Sequence, residues 1–234
     1  MPTTKALPRT FKCLTVPISI LLLSTTPSNA DDTPAFSFSA NATLASDYRF
    51  RGISLSDKDI ALQGGFDIAS KSGFYVGAWG SSIEQFAGSE LELDVYGGYT
   101  TNLNNLNFDI GILAYTYPGS DNTTYWEAYS SVAGSLSELG WTIGGAYAFD
   151  QSNIGNNDNL YLYLDTSTPL GNSKLTFTTH LGYEDGAFGD DKFDWSAGLS
   201  YDLDKFTLGI SYIDTNTNTR EGKAGVIASI SSAF

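Results

Sequence analysis

Residues 139–149 read LGWTIGGAYAF, and bulky apolar side chains in this stretch alternate with small or polar ones. The period is two, which is the period of a β-strand and not of a helix. A strand of this kind has apolar surroundings on one face and a different environment on the other. One face carries Leu139, Trp141, Ile143, Tyr147 and Phe149, and the other carries Thr142, Gly144, Ala146 and Ala148.

The same alternation recurs along the chain from Phe36 to the C-terminal Phe234, and no segment has helical periodicity. We predict about twelve strands. Their predicted bounds are 36–50, 60–70, 73–83, 90–100, 106–117, 124–136, 139–149, 159–168, 173–184, 192–201, 205–213 and 223–234.

The predicted connections alternate between short and long. The short ones are 71–72, 101–105, 137–138, 169–172 and 202–204, and the long, polar ones are 52–59, 84–89, 118–123, 150–158, 185–191 and 214–222. Outer-membrane barrels have short periplasmic turns and longer extracellular loops. An even strand number also lets the last strand pair with the first, which leaves no unpaired edge in the membrane.

These patterns predict an all-β fold, a transmembrane antiparallel up-and-down β-barrel. A soluble β-sandwich or jelly roll also alternates and is the alternative fold. Aromatic residues near strand ends favour the barrel, because the two membrane interfaces select them. They are Tyr48, Phe50, Tyr115, Tyr117, Tyr147, Phe149, Tyr183, Phe193 and Trp195 near the loops, and Tyr99, Phe108, Trp141, Tyr201, Phe206 and Phe234 near the turns.

The N-terminus has the layout of a secretory signal peptide. Basic residues precede the apolar stretch 13–23, and Ser28-Asn29-Ala30 suits signal peptidase. We expect cleavage after Ala30, so that residues 1–30 are a signal peptide and residues 31–234 form the barrel domain. The only cysteine, Cys13, lies in the removed segment, so the mature chain has no disulfide.

Composition narrows the class of partner. Removal of residues 1–30 leaves nine basic and 26 acidic residues, a net charge of −17. Such acidity argues against nucleic acid as a partner. Charged residues make up only 16% of the chain, against about 25% in a typical soluble domain. After the signal, no apolar run is long enough for a transmembrane helix.

In the last predicted strand, 223–234, apolar side chains occupy every second position up to the final residue, except at Ser232. We expect this strand to carry the signal that the barrel-assembly machinery recognises, with Ser232 as a departure from the phase. The predicted signal residues are Val226, Ala228, Ile230 and Phe234.

The opposite phase of the strands predicts which polar side chains line the lumen. Two arginines would face several carboxylates there, and buried charges must pair or meet water. They either lock the wall through fork-type hydrogen bonds or form a constriction whose transverse field selects solutes. The predicted lumen residues are Asp47, Arg49, Arg51, Gln63, Asp67, Glu92, Asp94 and His180.

The sequence does not favour an enzyme. His180 is the only histidine, and its phase points it into the lumen, whereas a barrel lipase acts on lipid outside. A pore-lining polar residue is the simpler interpretation. No nucleophile motif, P-loop or paired-histidine metal spacing occurs, so we expect no catalytic residue, metal or cofactor.

Three stretches resemble a known family, the TorF-type porins of proteobacteria. They are Ser46-Asp-Tyr-Arg-Phe-Arg-Gly-Ile-Ser54, Gln63-Gly-Gly-Phe-Asp67 and Ser72-Gly-Phe-Tyr-Val-Gly-Ala-Trp79. The motifs lie in the first third of the chain. The resemblance implies an outer-membrane barrel with a channel role, and it supplies no substrate and no catalytic residue.

The sequence therefore predicts a channel in the outer membrane of a Gram-negative bacterium. Small polar solutes or ions would pass through a narrow lumen, since side chains nearly fill a barrel of this size. The alternative is a non-conducting scaffold or receptor that acts through its loops. The expected partners are outer-membrane lipid and lipopolysaccharide, the barrel-assembly machinery and small polar solutes. A monomer is favoured over a trimer, and no long loop is expected to fold inward.

Overall fold

The computed structural model describes residues 35–121 and 123–234, so the predicted signal peptide 1–30 lies outside the described residues. The elements are almost entirely β-strands. They are β1 (Phe36–Ala45), β2 (Arg49–Phe50), β3 (Ile53–Ser54), β4 (Ala61–Ser70), β5 (Phe74–Phe86), β6 (Ser89–Leu103), β7 (Leu106–Thr116), β8 (Tyr125–Leu136), β9 (Leu139–Gln151), β10 (Asn157–Pro169), β11 (Leu175–Gly186), β12 (Gly189–Leu203), β13 (Phe206–Thr215) and β14 (Gly225–Ala233), with one 3-10 turn at Ser152–Ile154.

Twelve strands close into one antiparallel barrel, in the order β1-β14-β13-β12-β11-β10-β9-β8-β7-β6-β5-β4. The barrel closes where β1 pairs with both β4 and β14. Ala40 and Phe234 exchange backbone hydrogen bonds of 3.1 Å and 2.9 Å at this seam. The predicted fold class and strand number are therefore confirmed. Closure satisfies the ladder groups that a free edge would expose.

The outer surface is apolar and the inner surface is polar, as the period of two predicts. On β4, Leu62 and Phe66 are exposed to the outside, whereas Gln63 is buried inside. On β14, the outward-facing side chains are those of Val226, Ala228 and Ile230, and the terminal Phe234 is also exposed. In the described residues, no helix is long and apolar enough to cross a membrane.

The connections differ from the predicted alternation at several points. β5 and β6 are joined by Ala87-Gly88, and β11 and β12 by Ala187-Phe188, because these strands extend beyond their predicted ends. The predicted long loops 84–89 and 185–191 are thus largely strand, whereas 150–158 keeps a connection of five residues, 152–156, between β9 and β10. The first loop is longer than predicted, because β1 ends at Ala45 and not at residue 50. The following segment, residues 46–60, is called L1 below.

Some aromatic residues assigned to the membrane belts lie inside the barrel. Tyr48 and Tyr115 are buried, while Tyr147, Phe149 and Phe193 are exposed on the outer surface as predicted. Burial inside is possible for these two because the Tyr48 hydroxyl donates to Glu92 and the Tyr115 hydroxyl donates to Glu127. The interior apolar cluster is built from inward-facing aromatic side chains and one leucine: Tyr75, Tyr96, Leu113, Tyr115 and Tyr125.

Candidate functional site in the barrel lumen

L1 folds into the barrel as a small hairpin of β2 and β3. Phe50 pairs with Ile53 across a turn formed by Arg51 and Gly52. Both turn residues have positive φ, 48° and 82°. This is the geometry of a type I′ turn, in which glycine at the second position avoids strain. A side chain at Gly52 would also collide with the wall, because its Cβ would lie 2.8 Å from Asp194 Cβ. The turn is therefore fitted closely against β12.

Local hydrogen bonds to Asp47 explain why β1 stops early. The Arg49 Nε and Ser54 Oγ atoms each donate to the Asp47 carboxylate at 2.6 Å, and Ser56 Oγ donates at 3.1 Å. The same serines accept from the backbone, Ser56 Oγ from the Tyr48 N–H and Ser54 Oγ from the Lys58 N–H, both at 2.9 Å. Short polar side chains of this type offer the backbone an alternative to the sheet ladder. The predicted strand end at residue 50 is wrong for this reason. Asp47, Arg49 and Arg51 lie inside the barrel on L1 and not on its wall.

Arg51 at the hairpin tip connects two strands of the wall. Its guanidinium donates to Glu184 on β11 at 2.7 Å and to the two oxygens of Glu127 on β8 at 2.7 and 3.0 Å. The same group lies 4.3 Å from the ring centre of Tyr161. Lys192 forms an ion pair with Glu184 and donates to the Arg51 carbonyl oxygen at 3.0 Å. The tip is thus held by charge, hydrogen bonds and an aromatic face.

The position of these partners means that L1 crosses the lumen. In a ring of twelve strands, β9 lies opposite β1, and β8 and β11 lie on either side of that point. L1 leaves the end of β1, and its tip contacts β8 and β11. The earlier expectation that no loop folds inward is therefore wrong. The physical reason is that buried carboxylates on the far wall need a cation, and L1 supplies it.

The base of L1 is fixed by Tyr48 and Arg49. The Tyr48 hydroxyl donates to Glu92 on β6 at 2.6 Å, and its ring packs edge-on against Trp79. Arg49 donates to the carbonyl oxygens of Glu221 and Lys223 in the loop before β14, at 2.8 and 3.0 Å. L1 therefore touches the wall on many sides of the barrel.

Burial affects the ionisable groups of L1 itself. Burial, followed by the negative charge of Glu92, raises the pKa of the Tyr48 hydroxyl well above its ordinary value, so it stays a donor. Burial alone would lower the pKa of the Arg51 guanidinium. The carboxylate of Glu127, with smaller contributions from Tyr115 and Glu184, outweighs burial and holds that pKa above its ordinary value. Arg51 thus stays charged.

A cavity of about 670 Å³ lies between L1 and the turn end of the barrel. We call the end with the connections after β4, β6, β8, β10 and β12 the turn end. The cavity is lined by Asp204, Lys205 and Ala233 at that end and by L1 residues 47–52 at the other. Among the described residues, its lining does not continue past L1. L1 therefore forms the boundary of this cavity on the loop side.

The other sequence-predicted lumen residues all face the interior. Gln63, Glu92 and Asp94 are at most 4% exposed, and Asp67 accepts a 2.6 Å hydrogen bond from the Tyr96 hydroxyl. Gln63, Asp67 and Asp94 line the cavity. Glu92 is bound by the hydroxyl groups of Tyr48 and Tyr117.

His180 lies on β11 between two carboxylates. Its Nδ1 is 2.6 Å from an oxygen of Asp165 on β10, and its Nε2 is 3.0 Å from an oxygen of Asp194 on β12. The Tyr161 hydroxyl is 2.8 Å from the same Nε2 atom. Since carboxylates only accept hydrogen bonds, both ring nitrogens are placed to donate. In the described part of the chain, no group of three or more His, Cys, Asp or Glu side chains could hold a metal ion.

Several residues of the site were missed by sequence reasoning. Glu184 and Lys192 are the end residues of the predicted strands 173–184 and 192–201, beside the predicted loop 185–191, and Glu127 lies in the predicted strand 124–136, whose alternation is weak. Asp165 and Asp194 were not singled out. The period of two could have found Glu127, because it is in phase with the inward-facing Tyr125 and Tyr129.

Solved structures share this architecture. A KdgM porin superposes with a TM-score of 0.59 at 9% identity, covering 84% of this chain and 98% of that chain. A KdgM porin in complex with disordered oligogalacturonate gives the same values. A NanC porin gives a TM-score of 0.55 at 13% identity, covering 85% of this chain and 99% of that chain. Among curated proteins, none matches this chain.

The closed twelve-stranded antiparallel barrel thus has the fold of outer-membrane porins. Identities this low show the fold alone. The chain belongs to the family described as "Bacterial protein of unknown function (Gcw_chp)", whose model matches residues 29–232. That family description carries no function and does not carry the TorF name that the motifs suggested.

Proposed function

We propose that the protein is an outer-membrane channel that passes small polar solutes or ions, and that L1 restricts its lumen. The observation that carries the proposal is the cavity of about 670 Å³, which is lined by several charged side chains, reaches the turn end and stops at L1. A barrel with an apolar exterior and a charged interior is built to hold water and solutes inside a membrane. The TorF-type resemblance of residues 46–54, 63–67 and 72–79 supports the same function.

The charge of the lumen favours cations and neutral solutes over anions. Asp67, Asp94, Asp165 and Asp194 line the cavity below L1, and His180 lies among them. Carboxylates in a narrow water-filled space raise the local concentration of cations. Oligogalacturonate, the polyanion in the KdgM complex, would be repelled by this wall. We therefore propose a different solute class for this chain.

We further propose that residues 1–30 direct export and that the mature chain is assembled into the outer membrane. Val226, Ala228, Ile230 and Phe234 present an outward-facing apolar row to the barrel-assembly machinery. Lipid and lipopolysaccharide would then cover the outer surface, and we propose a monomer. A catalytic role is not part of the proposal, since both nitrogens of His180 face carboxylates and neither is free to act as a base.

A non-conducting scaffold or receptor is the second candidate. One observation favours it, namely that L1 is held in the lumen by buried ion pairs. Planar-bilayer recording of the refolded mature chain separates the two candidates. Discrete openings are expected for the channel, with a reversal potential that favours cations in a KCl gradient. Heat-modifiable, folded protein that gives no openings would support the scaffold, and an anion-favouring potential would contradict the proposed selectivity.

A further inference from the structure

The guanidinium of Arg51 lies in a pocket of the barrel wall. Glu184 accepts a hydrogen bond from its Nη1 atom at 2.7 Å, and both oxygens of Glu127 accept from its Nη2 atom at 2.7 and 3.0 Å. The ring of Tyr161 covers the group, with its centre 4.3 Å from Cζ. Carboxylates and an aromatic face bind a planar guanidinium through charge-assisted hydrogen bonds and a cation–π contact. We call Glu127, Glu184 and Tyr161 the cation pocket.

The cation pocket is held in shape by residues of the wall and not by L1. The Tyr115 hydroxyl donates to Glu127 at 2.8 Å, and the Asn159 amide donates to Glu184 at 3.0 Å. The Tyr161 hydroxyl is bound by side chains of β11 and β12. All of these groups lie on strands β7–β12. The pocket is therefore preorganised for a cation whether or not the hairpin tip supplies it.

Without a bound cation, the pocket carries an excess of negative charge. Its two glutamates are balanced in part by Lys192, which forms an ion pair with Glu184. Among the described residues, Arg51 is the only basic side chain that forms an ion pair with Glu127. An unpaired buried carboxylate is costly. Departure of the hairpin tip is therefore favoured when another cation takes its place.

The pocket borders the part of the lumen that a solute can enter. Arg51, Glu127 and Tyr161 are all among the residues that line the cavity, and this cavity reaches the turn end. β2 and β3 pair with each other and are not members of the closed barrel ladder. A cation that enters from the turn end thus meets the Arg51 side chain at the end of the cavity and can compete with it for the two glutamates.

We propose that the cation pocket is the solute-binding site of the channel, that it takes a guanidinium-bearing cation, and that Arg51 occupies it as an internal competitor. The proposal rests on the proposed function, because it names the solute class of that channel. The solute replaces Arg51 on Glu127 and Glu184, and L1 then loses its hold on the far wall. Binding and opening are coupled, since the solute binds only when Arg51 has left the pocket.

Calorimetric titration of refolded, mature Arg51→Ala with ethylguanidinium chloride tests the pocket, because this cation replaces the atoms that the substitution removes. Saturable one-to-one binding is expected. Ethylammonium lacks the planar fork and should bind about fivefold more weakly. Adding Glu127→Gln to Arg51→Ala should weaken ethylguanidinium binding about tenfold, because it removes a charged acceptor.

The parent chain tests the competition with Arg51. It should bind ethylguanidinium about tenfold more weakly than Arg51→Ala does, because its own side chain is present in the pocket at high effective concentration. Arg220→Ala is the matched control, since it removes an arginine whose side chain is 66% exposed and leaves the pocket filled. This control should bind as the parent does. In bilayer recording of the parent, ethylguanidinium on the turn side should raise the fraction of time spent open, and ethylammonium at the same concentration should not.

Four outcomes would overturn the proposal. They are no saturable heat with folded Arg51→Ala, equal binding of ethylammonium, undiminished binding after Glu127→Gln, or openings of the parent that ethylguanidinium leaves unchanged. Heat-modifiable mobility on gels verifies that each variant is folded. Openings without guanidinium binding contradict only this inference, and guanidinium binding without openings contradicts only the channel.

Discussion

Removal of the Arg51 side chain should release L1 from the far wall of the barrel. In Arg51→Ala, Glu127 keeps only the Tyr115 hydroxyl as a partner, at 2.8 Å. Glu184 keeps Lys192 and Asn159. Breaking a buried ion pair by removing one partner costs about 3–5 kcal/mol, and the partners that remain favour the lower end. Since about 1.4 kcal/mol is a factor of ten, the ratio of closed to open L1 should fall about 150-fold.

Single-channel recording gives this ratio from the times that the channel spends closed and open. Arg220→Ala is the control, because Arg220 also holds L1, through Asp57 at 2.9 Å, but its side chain is 66% exposed. An exposed pair contributes at most about 1 kcal/mol, so the control should change the ratio by less than about fivefold. Arg51→Met combined with Glu127→Gln removes one buried charge of each sign and should restore much of the closure. If folded Arg51→Ala opens no more often than the parent, L1 is not the element that closes the lumen.

Three further predictions concern the turn, the histidine and the C-terminus. Gly52→Ala should loosen L1 and raise the fraction of time the channel is open, because the new Cβ would collide with Asp194. Gly119→Ala is the control, because Gly119 has a similar φ but no atom within 4 Å of the new Cβ, and it should leave the open time unchanged. Equal effects of the two substitutions would show that only backbone strain matters. Nitrogen-15 spectra should show a proton on both ring nitrogens of His180 at neutral pH, since both face carboxylates; one bare nitrogen would contradict this arrangement. Phe234→Ala should keep the backbone pairing with Ala40 and refold normally in detergent, yet lower the amount assembled in cells; normal assembly would refute the C-terminal signal.

The sequence predicted well those elements whose structure depends only on the alternation of neighbouring residues. The stretch 139–149 is a strand, and its bulky residues face outward, because alternation follows from the strand period alone. The inward positions of Asp67 and Asp94 followed in the same way. β1 was extended too far because the alternation of Asp47, Arg49 and Arg51 continues through a segment that is not in the sheet.

Ion pairs between residues far apart in the sequence could not be predicted from the alternation pattern. Arg51 meets Glu127 over 76 residues of sequence and Glu184 over 133. No period links such positions, and the choice among many carboxylates depends on where each strand sits in the ring. The same holds for the two carboxylates on His180 and for the tyrosines that bind Glu92.

The sequence by itself determined the barrel, its strand number and the two faces of its wall, because these depend on local alternation and on chain closure. Only the tertiary structure decided that L1 turns inward, that its tip reaches the opposite wall and that the lumen cavity ends at L1. The reason is that a buried charge is stable only beside a partner, and which partner lies within reach is a property of the closed ring.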